Sequence, residues 1–200
     1  HPNQMVKSRY FNLENPNIDF GKLMQRKDKI SKISSMGVKK ILEDAGVEII
    51  KGTAEILDKN VVEVDDQEYR TENIVIATGS SSAKDKYGFE GFMDNVDILS
   101  LDKLPESLTI IGGSVMGLEF ASIFNALGSK VSVIEIQDRI LSKGEKEISE
   151  TLHNIMERKG IKIFTSTKIE SFEGNKIKLV TSEGNVEIES EKVLAAVGVK

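Results

Sequence analysis

The chain has 200 residues, a formal net charge of −5 and a pI near 5.3, which is enough length for one large or two small domains. The acidic balance argues against a nucleic-acid or membrane-surface partner, and the absence of cysteine excludes disulfides and thiol chemistry within these residues. No apolar run approaches 18 residues and no secretory leader is visible, so we expect no membrane span and a cytoplasmic location. The two histidines, His1 and His153, are too few for a His-rich metal site, so no metal is expected.

The first half of the chain predicts a lead-in, a helix and a small sheet. Residues 1–20 lack periodicity, whereas residues 21–45 predict a helix ended by Gly46. Its basic residues form a solvated face, and its apolar stripe indicates packing on a core, with docking of a partner helix as the alternative. The apolar residues recur near helical spacing: Leu23, Ile30, Ile33, Ile41, Leu42 and Ala45.

Strands are predicted to follow this helix. Residues 47–50 predict a short strand, and three short segments, 55–57, 61–64 and 68–70, predict an antiparallel meander with polar turns between them. Residues 73–77 predict a buried strand that ends at Thr78 and Gly79. Residues 80–107, with their serines, glycines and Pro105, are interpreted as a connection between domains.

The centre of the chain combines a strand, a glycine turn and a helix. Residues 108–111 run into Gly112 and Gly113, and Gly128 ends the helical pattern that follows. The expected inward face of this helix contains Met116, Phe120, Ile123, Phe124 and Leu127. Helix N–H groups and close glycine backbone suit a dinucleotide pyrophosphate. In the pattern G-x-G-x-x-G, however, Ser114 stands between Gly112 and Gly117 where the middle glycine is expected.

An acidic residue follows the next strand. Residues 130–135 predict an apolar strand that ends in Glu135, 18 positions after Gly117, near the spacing of the carboxylate that binds the adenosine ribose. The alternative is a phosphate-free turn with a solvated glutamate. We favour the binding role because the turn, the helix and the acid agree.

The last third predicts a helix, two hairpins and a strand. Residues 145–158 predict a helix with Ile148, Leu152, Ile155 and Met156 inward and His153 solvated. Residues 161–164 predict a strand, residues 168–189 predict hairpins with turns at 174–175 and 184–185, and residues 192–197 predict the last strand.

The two halves of the chain resemble each other. Residues 41–50 align with 155–164 at an offset of 114, and each segment precedes a meander and a similar terminal strand. This repeat predicts two related doubly wound domains, at residues 1–104 and 105–200. The same offset applied to Gly112 falls before residue 1, so we expect the first domain's phosphate turn upstream of a truncated sequence.

Motifs along nearly the whole chain resemble the pyridine nucleotide–disulfide oxidoreductases, and within them most closely the dihydrolipoamide dehydrogenase branch. The residues that carry the resemblance are 20–29, 51–54, 76–80, 104–113, 117–121, 133–135, 138–141 and 195–198. The resemblance implies a Rossmann-like NAD-binding domain with an inserted β-meander, plus part of a related FAD-binding domain.

The resemblance also implies site residues. Glu135 would bind the adenosine ribose, and Ile169 and Gly198 would line the NAD groove. Glu119 has an alternative role, since a carboxylate in a first turn suits any helix dipole. The residues expected to face the NAD pyrophosphate and nicotinamide are Gly112, Gly113, Ser114, Val115, Met116, Gly117 and Glu119. The residues expected at FAD are Ala54, through its backbone, and Thr78, Gly79 and Ser80.

Several family features are not found in these 200 residues. They are the redox cysteine pair, the first FAD phosphate turn, the second flavin-binding Gly-Asp motif and the C-terminal His–Glu base. We therefore expect no catalytic residue in this chain and little activity from it alone. The resemblance implies a parent that passes electrons from a dithiol through FAD to NAD⁺, as a homodimer within a 2-oxoacid dehydrogenase complex. The alternatives are a reductase of another disulfide or of a metal ion, and a nucleotide-binding module without turnover.

Overall fold

The computed structural model describes residues 18–83, 88 and 90–198, and these residues divide into two units. The smaller unit is Gln25–Ser80, and the larger contains the described residues after it together with those before Gln25. Most of the predicted lead-in therefore lies outside the described residues. None of the described helices is long and apolar enough to cross a membrane. The described residues also contain no cluster of three histidines or carboxylates arranged to hold a metal.

The first helix confirms the sequence prediction in extent but not in packing. Helix α1 is Phe20–Asp44, and the Asp19 carboxylate accepts the Lys22 N–H (3.0 Å) at its N-terminus. Phe20 is its one buried residue. Ile30, Ile33 and the other apolar side chains that were expected on a core are exposed. Core packing was wrong here because no described element covers this stripe.

The predicted meander is present in the smaller unit. Strands β1 (Ala54–Asp58), β2 (Val61–Val64) and β3 (Gln67–Arg70) form an antiparallel sheet in that order. Asn60, in the first turn, donates its side-chain N–H to the carbonyl oxygens of Thr71 (2.7 Å) and Glu72 (3.0 Å). That amide ties the end of the meander back to its first turn.

Two predicted strands of the smaller unit are absent. Residues 47–50 and 73–77 have no strand conformation, and Val75 and Ile76 are 87% and 71% exposed. A buried strand requires a hydrogen-bonded neighbour as well as an apolar sequence. In the described part of the chain, the smaller unit supplies no parallel strand beside either segment.

The predicted connection contains ordered structure. Helix α2 (Asn95–Ile98) begins at Asp94, whose carboxylate accepts the N–H groups of Val96 and Asp97. Met93 forms a parallel bridge with Leu194, and Ile98 is fully buried. The segment therefore extends the edge of the sheet that follows it in the chain.

The larger unit is a mixed α/β structure with a four-stranded parallel sheet in the order β10-β4-β5-β6 and an antiparallel meander in the order β7-β8-β9. Its elements are β4 (Ser107–Ile111), α3 (Val115–Leu127), β5 (Lys130–Ile134), α4 (Lys146–Arg158), β6 (Lys162–Phe164), β7 (Lys168–Glu173), β8 (Lys176–Thr181), β9 (Gly184–Glu189) and β10 (Lys192–Ala195). The strand starts Ala54 and Lys168 are 114 positions apart, so both meanders follow the predicted repeat.

The parallel sheet is covered on both faces, as its continuous apolar strands require. Alternate residues of β4 point to opposite faces, so Ile110 joins the core beneath α3 and α4 while Ile111 joins the core beneath the meander. Leu118 of α3 and Met156 of α4 lie in the first core, and Leu179 of the meander lies in the second. The sheet is thereby buried between two apolar layers.

The inward faces of the two helices differ from the prediction. Ile123, Ile148 and Ile155 are exposed, whereas Leu118 and Ser149 are buried. Periodicity gives the width of an apolar stripe but not which edge of it meets the sheet.

Two smaller predictions also differ from the structure. His153 is partly buried, with its Nε2 3.4 Å from the Glu157 carboxylate, rather than fully solvated. The second hairpin turn lies at 182–183, because Gly184 already pairs with Thr181 in the ladder.

Candidate functional site

The turn after β4 requires glycine at three positions. Gly112 has φ +106°, and a Cβ there would lie 2.5 Å from the Ala196 carbonyl oxygen. A Cβ on Gly113 would lie 2.9 Å from Ile140 Cγ2, and one on Gly117 would overlap the Gly112 carbonyl oxygen. Helix α3 can therefore begin this close to the sheet only without side chains at these positions.

Ser114, which replaces the middle glycine, fits the turn without strain. It is the N-cap of α3 with φ −82° and ψ 175°, an extended conformation open to any residue. Its hydroxyl donates to the Ala196 carbonyl oxygen (3.2 Å) and does not cap the helix. The serine is thus accommodated by ordinary backbone geometry.

The N-terminus of α3 offers backbone donors. The Leu118 N–H makes the helical bond back to the Ser114 carbonyl oxygen (3.0 Å). The N–H groups of Val115, Met116 and Gly117 precede it, in the turn where a helix has no internal acceptors. The 13-residue helix directs the positive end of its dipole to the same place. An anionic group is therefore favoured beside the glycine turn.

Glu135 lies directly after β5 and is 9% exposed, so it is not the solvated strand end of the alternative interpretation. One carboxylate oxygen accepts the Gly113 N–H (2.7 Å), and the other accepts the Gln137 N–H (2.8 Å). Each oxygen retains a further lone pair. The side chain is thereby oriented by backbone while it can still accept hydroxyl donors.

A cleft of about 170 Å³ joins the predicted NAD residues Gly112, Glu135 and Ile169. It lies at the carboxyl ends of β4 and β5, where open α/β sheets bind ligands. The sequence interpretation missed other residues that line it, namely Ile111, Ile134, Ile136, Thr167 and Lys168. Their position immediately beside predicted strand ends was the signal that could have found them.

The other predicted NAD residues do not line this cleft: Gly113, Ser114, Val115, Met116 and Gly117 form the turn and the first turn of α3, and Glu119 and Gly198 lie further away along the chain. Gly198 is exposed beyond β10, with φ +102°. Glu119 is exposed and is the fifth residue of α3, so the first-turn dipole role weighed for it was wrong. It opens instead on a groove of about 530 Å³ between α3 and α4, whose lining is aliphatic apart from Glu119 and Ser122. This groove is larger than the cleft at Glu135 but does not include the glycine turn.

The predicted FAD residues form no assembled site among the described residues. Ala54, Thr78, Gly79 and Ser80 belong to the smaller unit and are all exposed. Residues 73–80 lack the strand that would fix the last three.

Arg139 is the cation nearest in sequence to Glu135, and its terminal nitrogens face its own loop, whereas its Nε is buried without a hydrogen-bond partner among the described residues. One guanidinium nitrogen donates to the Ser142 carbonyl oxygen (2.8 Å), and the other terminal nitrogen lies 3.7 Å from the Asp138 carboxylate. The loop therefore already holds this charge.

Comparisons with known proteins identify the class of protein to which this parallel α/β sheet and glycine turn belong. The pyridine nucleotide-disulphide oxidoreductase family model matches residues 4–200, and the chain belongs to that family. The family uses FAD and NAD.

Individual relatives agree with the family assignment. A dihydrolipoyl dehydrogenase of Mycoplasma genitalium is 34% identical over 90% of this chain and 41% of its own length. One of Acholeplasma laidlawii is 32% identical over 91% of this chain and 56% of its own. The HOCl-induced flavoprotein disulfide reductase RclA from Escherichia coli is similar in structure, with a TM-score of 0.78 and 26% identity over 92% of this chain and 44% of its own. The chain thus spans between two fifths and three fifths of these relatives.

Proposed function

We propose that this chain is the NAD-binding part, with a portion of the FAD-binding part, of an FAD-dependent oxidoreductase of the dihydrolipoyl dehydrogenase type. The observation that carries the proposal is the glycine turn, with a buried glutamate bonded to it at the carboxyl end of the next strand. The names of the relatives support the same class of activity.

The strand order supports a Rossmann-like arrangement. If β4 is the first strand, the sheet reads 4-1-2-3, the order of the first four strands of a doubly wound dinucleotide fold. The meander β7–β9 is inserted before the fourth strand. The division into residues 1–104 and 105–200 stays a prediction, and in the described structure Met93 and Ile98 pack with the sheet of the second part.

The residues present fit NAD. The N–H groups of Ser114–Gly117 would hold the pyrophosphate, Glu135 would accept the ribose hydroxyls, and Ile169 and Gly198 would border the groove. A Cβ on Gly117 would clash with the Gly112 carbonyl oxygen and push the N-terminus of α3 away from the turn, so glycine there is what lets these donors lie close to the strand ends. When bound, NAD supplies a nicotinamide ring that accepts or gives hydride, and the role of this chain is to orient it. The described residues do not build an FAD site.

For the parent we propose electron transfer from a dithiol to NAD⁺, as a homodimer within a 2-oxoacid dehydrogenase complex. A reductase that runs from the nicotinamide to another disulfide or to a metal ion is the nearest alternative, and the printed name of RclA is the observation that favours it. A module without turnover is the second alternative. The cytoplasmic location expected from the sequence stays a prediction.

Calorimetric titration of NADH into the 200-residue chain tests the proposal. We expect binding, and we expect Gly117→Ala to weaken it at least tenfold because its Cβ displaces α3 from the turn. Gly37→Ala is the matched control, since no atom of the structure lies near its added Cβ. Failure of the unsubstituted chain to bind NADH, or equal binding by the Gly117 variant, would contradict the proposal. Turnover of NADH with an electron acceptor by this chain alone would overturn the expectation that it lacks catalytic residues.

A further inference from the structure

The loop between β5 and α4 is bonded to the glycine turn through one peptide group. The Leu141 N–H donates to the Gly113 carbonyl oxygen (2.8 Å). The Ile140 carbonyl oxygen, in the same peptide group, accepts the Ser149 hydroxyl (2.6 Å). Ser149 is 1% exposed, and Ile140 is fully buried. The peptide is therefore held at both ends, by helix α4 on one side and by the glycine turn on the other.

The Ile140–Leu141 peptide group precedes a residue with an unfavourable backbone conformation. Leu141 has φ +46°, a left-handed conformation that is unfavourable for a residue with a Cβ. Such a conformation persists only where its surroundings determine it. The Ser149 hydroxyl is a contact from a regular helix that fixes the orientation of the Ile140 carbonyl group.

The orientation of the Ile140–Leu141 peptide also determines that of the Gly113–Ser114 peptide in the glycine turn. The peptide between Gly113 and Ser114 is planar, so its N–H points opposite to its carbonyl group. Because the Gly113 carbonyl group points to Leu141, the Ser114 N–H is directed away from the loop. Hydrogen bonds in series also polarise one another, which strengthens the last donor.

We infer that Ser149 is a positioning residue for dinucleotide binding: through the Ile140–Leu141 peptide it sets the direction in which Ser114 presents its N–H to the pyrophosphate. The inference rests on the proposed function, since it assumes that the turn binds a dinucleotide. Ser149 itself lies within α4 and is assigned no contact with the ligand.

The test compares two buried serines of the same chemistry. Ser129 is 4% exposed and donates to the Pro105 carbonyl oxygen at the same distance, 2.6 Å, but it precedes β5 at the opposite end of the sheet. We expect Ser149→Ala to raise the Kd for NADH about three- to tenfold, the loss of one hydrogen bond. Ser129→Ala should lower thermal stability comparably and leave the Kd within about twofold.

Two further measurements separate positioning from general destabilisation. Titrations are made well below the melting temperature, with the folded fraction checked by circular dichroism. Amide hydrogen exchange at Leu141 should accelerate in Ser149→Ala and not in Ser129→Ala. Should Ser149→Ala fail to fold, Ser149→Cys replaces it, because its thiol is a weaker donor of similar size.

The outcomes distinguish the inference from the proposed function. If the unsubstituted chain does not bind NADH, the proposed function fails and the inference fails with it. If that chain binds but the Ser149 variant shows the same Kd as the Ser129 variant, the inference alone is overturned. A raised Kd with faster Leu141 exchange supports it.

Discussion

At the scale of single residues, Glu135 connects the fold to the proposed ligand. Spacing in the sequence placed a carboxylate after the second strand of the unit, and the structure buries it against the glycine turn. Backbone donors occupy one lone pair of each carboxylate oxygen, so the other lone pairs can accept hydroxyl groups. The carboxylate is negatively charged, however, whereas a phosphate group requires a positively charged partner.

We therefore predict that the chain prefers NADH to NADPH. A 2′-phosphate would meet the Glu135 carboxylate, and like charges in an interface cost several kcal/mol. Arg139, the cation best placed in sequence to reverse this preference, already bonds the Ser142 carbonyl oxygen. Paired titrations measure the two affinities in the unsubstituted chain and in Glu135→Ala, where the difference should narrow. Equal affinities in the unsubstituted chain would contradict the prediction.

Glu135→Gln is the control that removes the negative charge of this side chain while keeping its size and shape. Both oxygens of Glu135 accept backbone N–H groups, so the amide of glutamine must turn its own N–H₂ toward one of these donors. We expect this variant to lose roughly 1–3 kcal/mol of stability, the cost of a buried donor without its acceptor. Its melting temperature, measured beside that of Glu135→Ala, shows whether the turn depends on the carboxylate.

At the scale of elements, periodicity predicted whether a segment forms a helix or a strand better than it predicted which segment it packs against. The helix at Phe20–Asp44, the two meanders and the parallel strands were predicted correctly, because each has a strong local pattern. Residues 47–50 and 73–77 have the pattern of strands but no neighbour to pair with in the described structure. Strand formation depends on a second segment that is distant in sequence, and local pattern carries no information about whether it is present.

Hydrogen exchange tests this contrast between elements. Amides of Val75 and Ile76 should exchange within about an order of magnitude of an unstructured peptide, because neither belongs to a ladder and both are exposed. Amides of Ile110 and Val133, in the centre of the parallel sheet, should be protected by several orders of magnitude. Strong protection at Val75 would show that the segment pairs with a strand in solution.

At the scale of the whole chain, several predicted NAD residues lie together in one cleft, whereas the predicted FAD residues do not form a site among the described residues. The NAD residues Gly112, Glu135 and Ile169 share one cleft, whereas the FAD residues remain exposed in the smaller unit. Phosphate cradling by helix N–H groups supplies much of the grip of a dinucleotide site. The described residues near Thr78 provide no such helix N-terminus.

The purified chain should accordingly contain little or no FAD. The exposed backbone around Ala54 and Thr78–Ser80 offers too few contacts to retain a flavin through purification. The visible absorbance spectrum, with released flavin quantified after denaturation, measures the content directly. A yellow preparation with nearly one equivalent of FAD would contradict the prediction and would indicate that a second chain completes the site.

Local sequence was enough to predict the glycine turn, the following helix and the acid after β5, because glycine conformation, helix termination and strand alternation act over a few residues. Family membership followed from the same motifs. Only the tertiary structure decided which edge of α3 and α4 meets the sheet, that Arg139 is held by its own loop, and that Ser149 contacts the peptide that braces Gly113. It also left residues 73–77 without a sheet. The buried helix edges and the link from Ser149 through Leu141 to Gly113 depend on packing between different elements, which exists only when those elements are folded together. The Arg139 bond is local, but the conformation of its loop is set by the same packing.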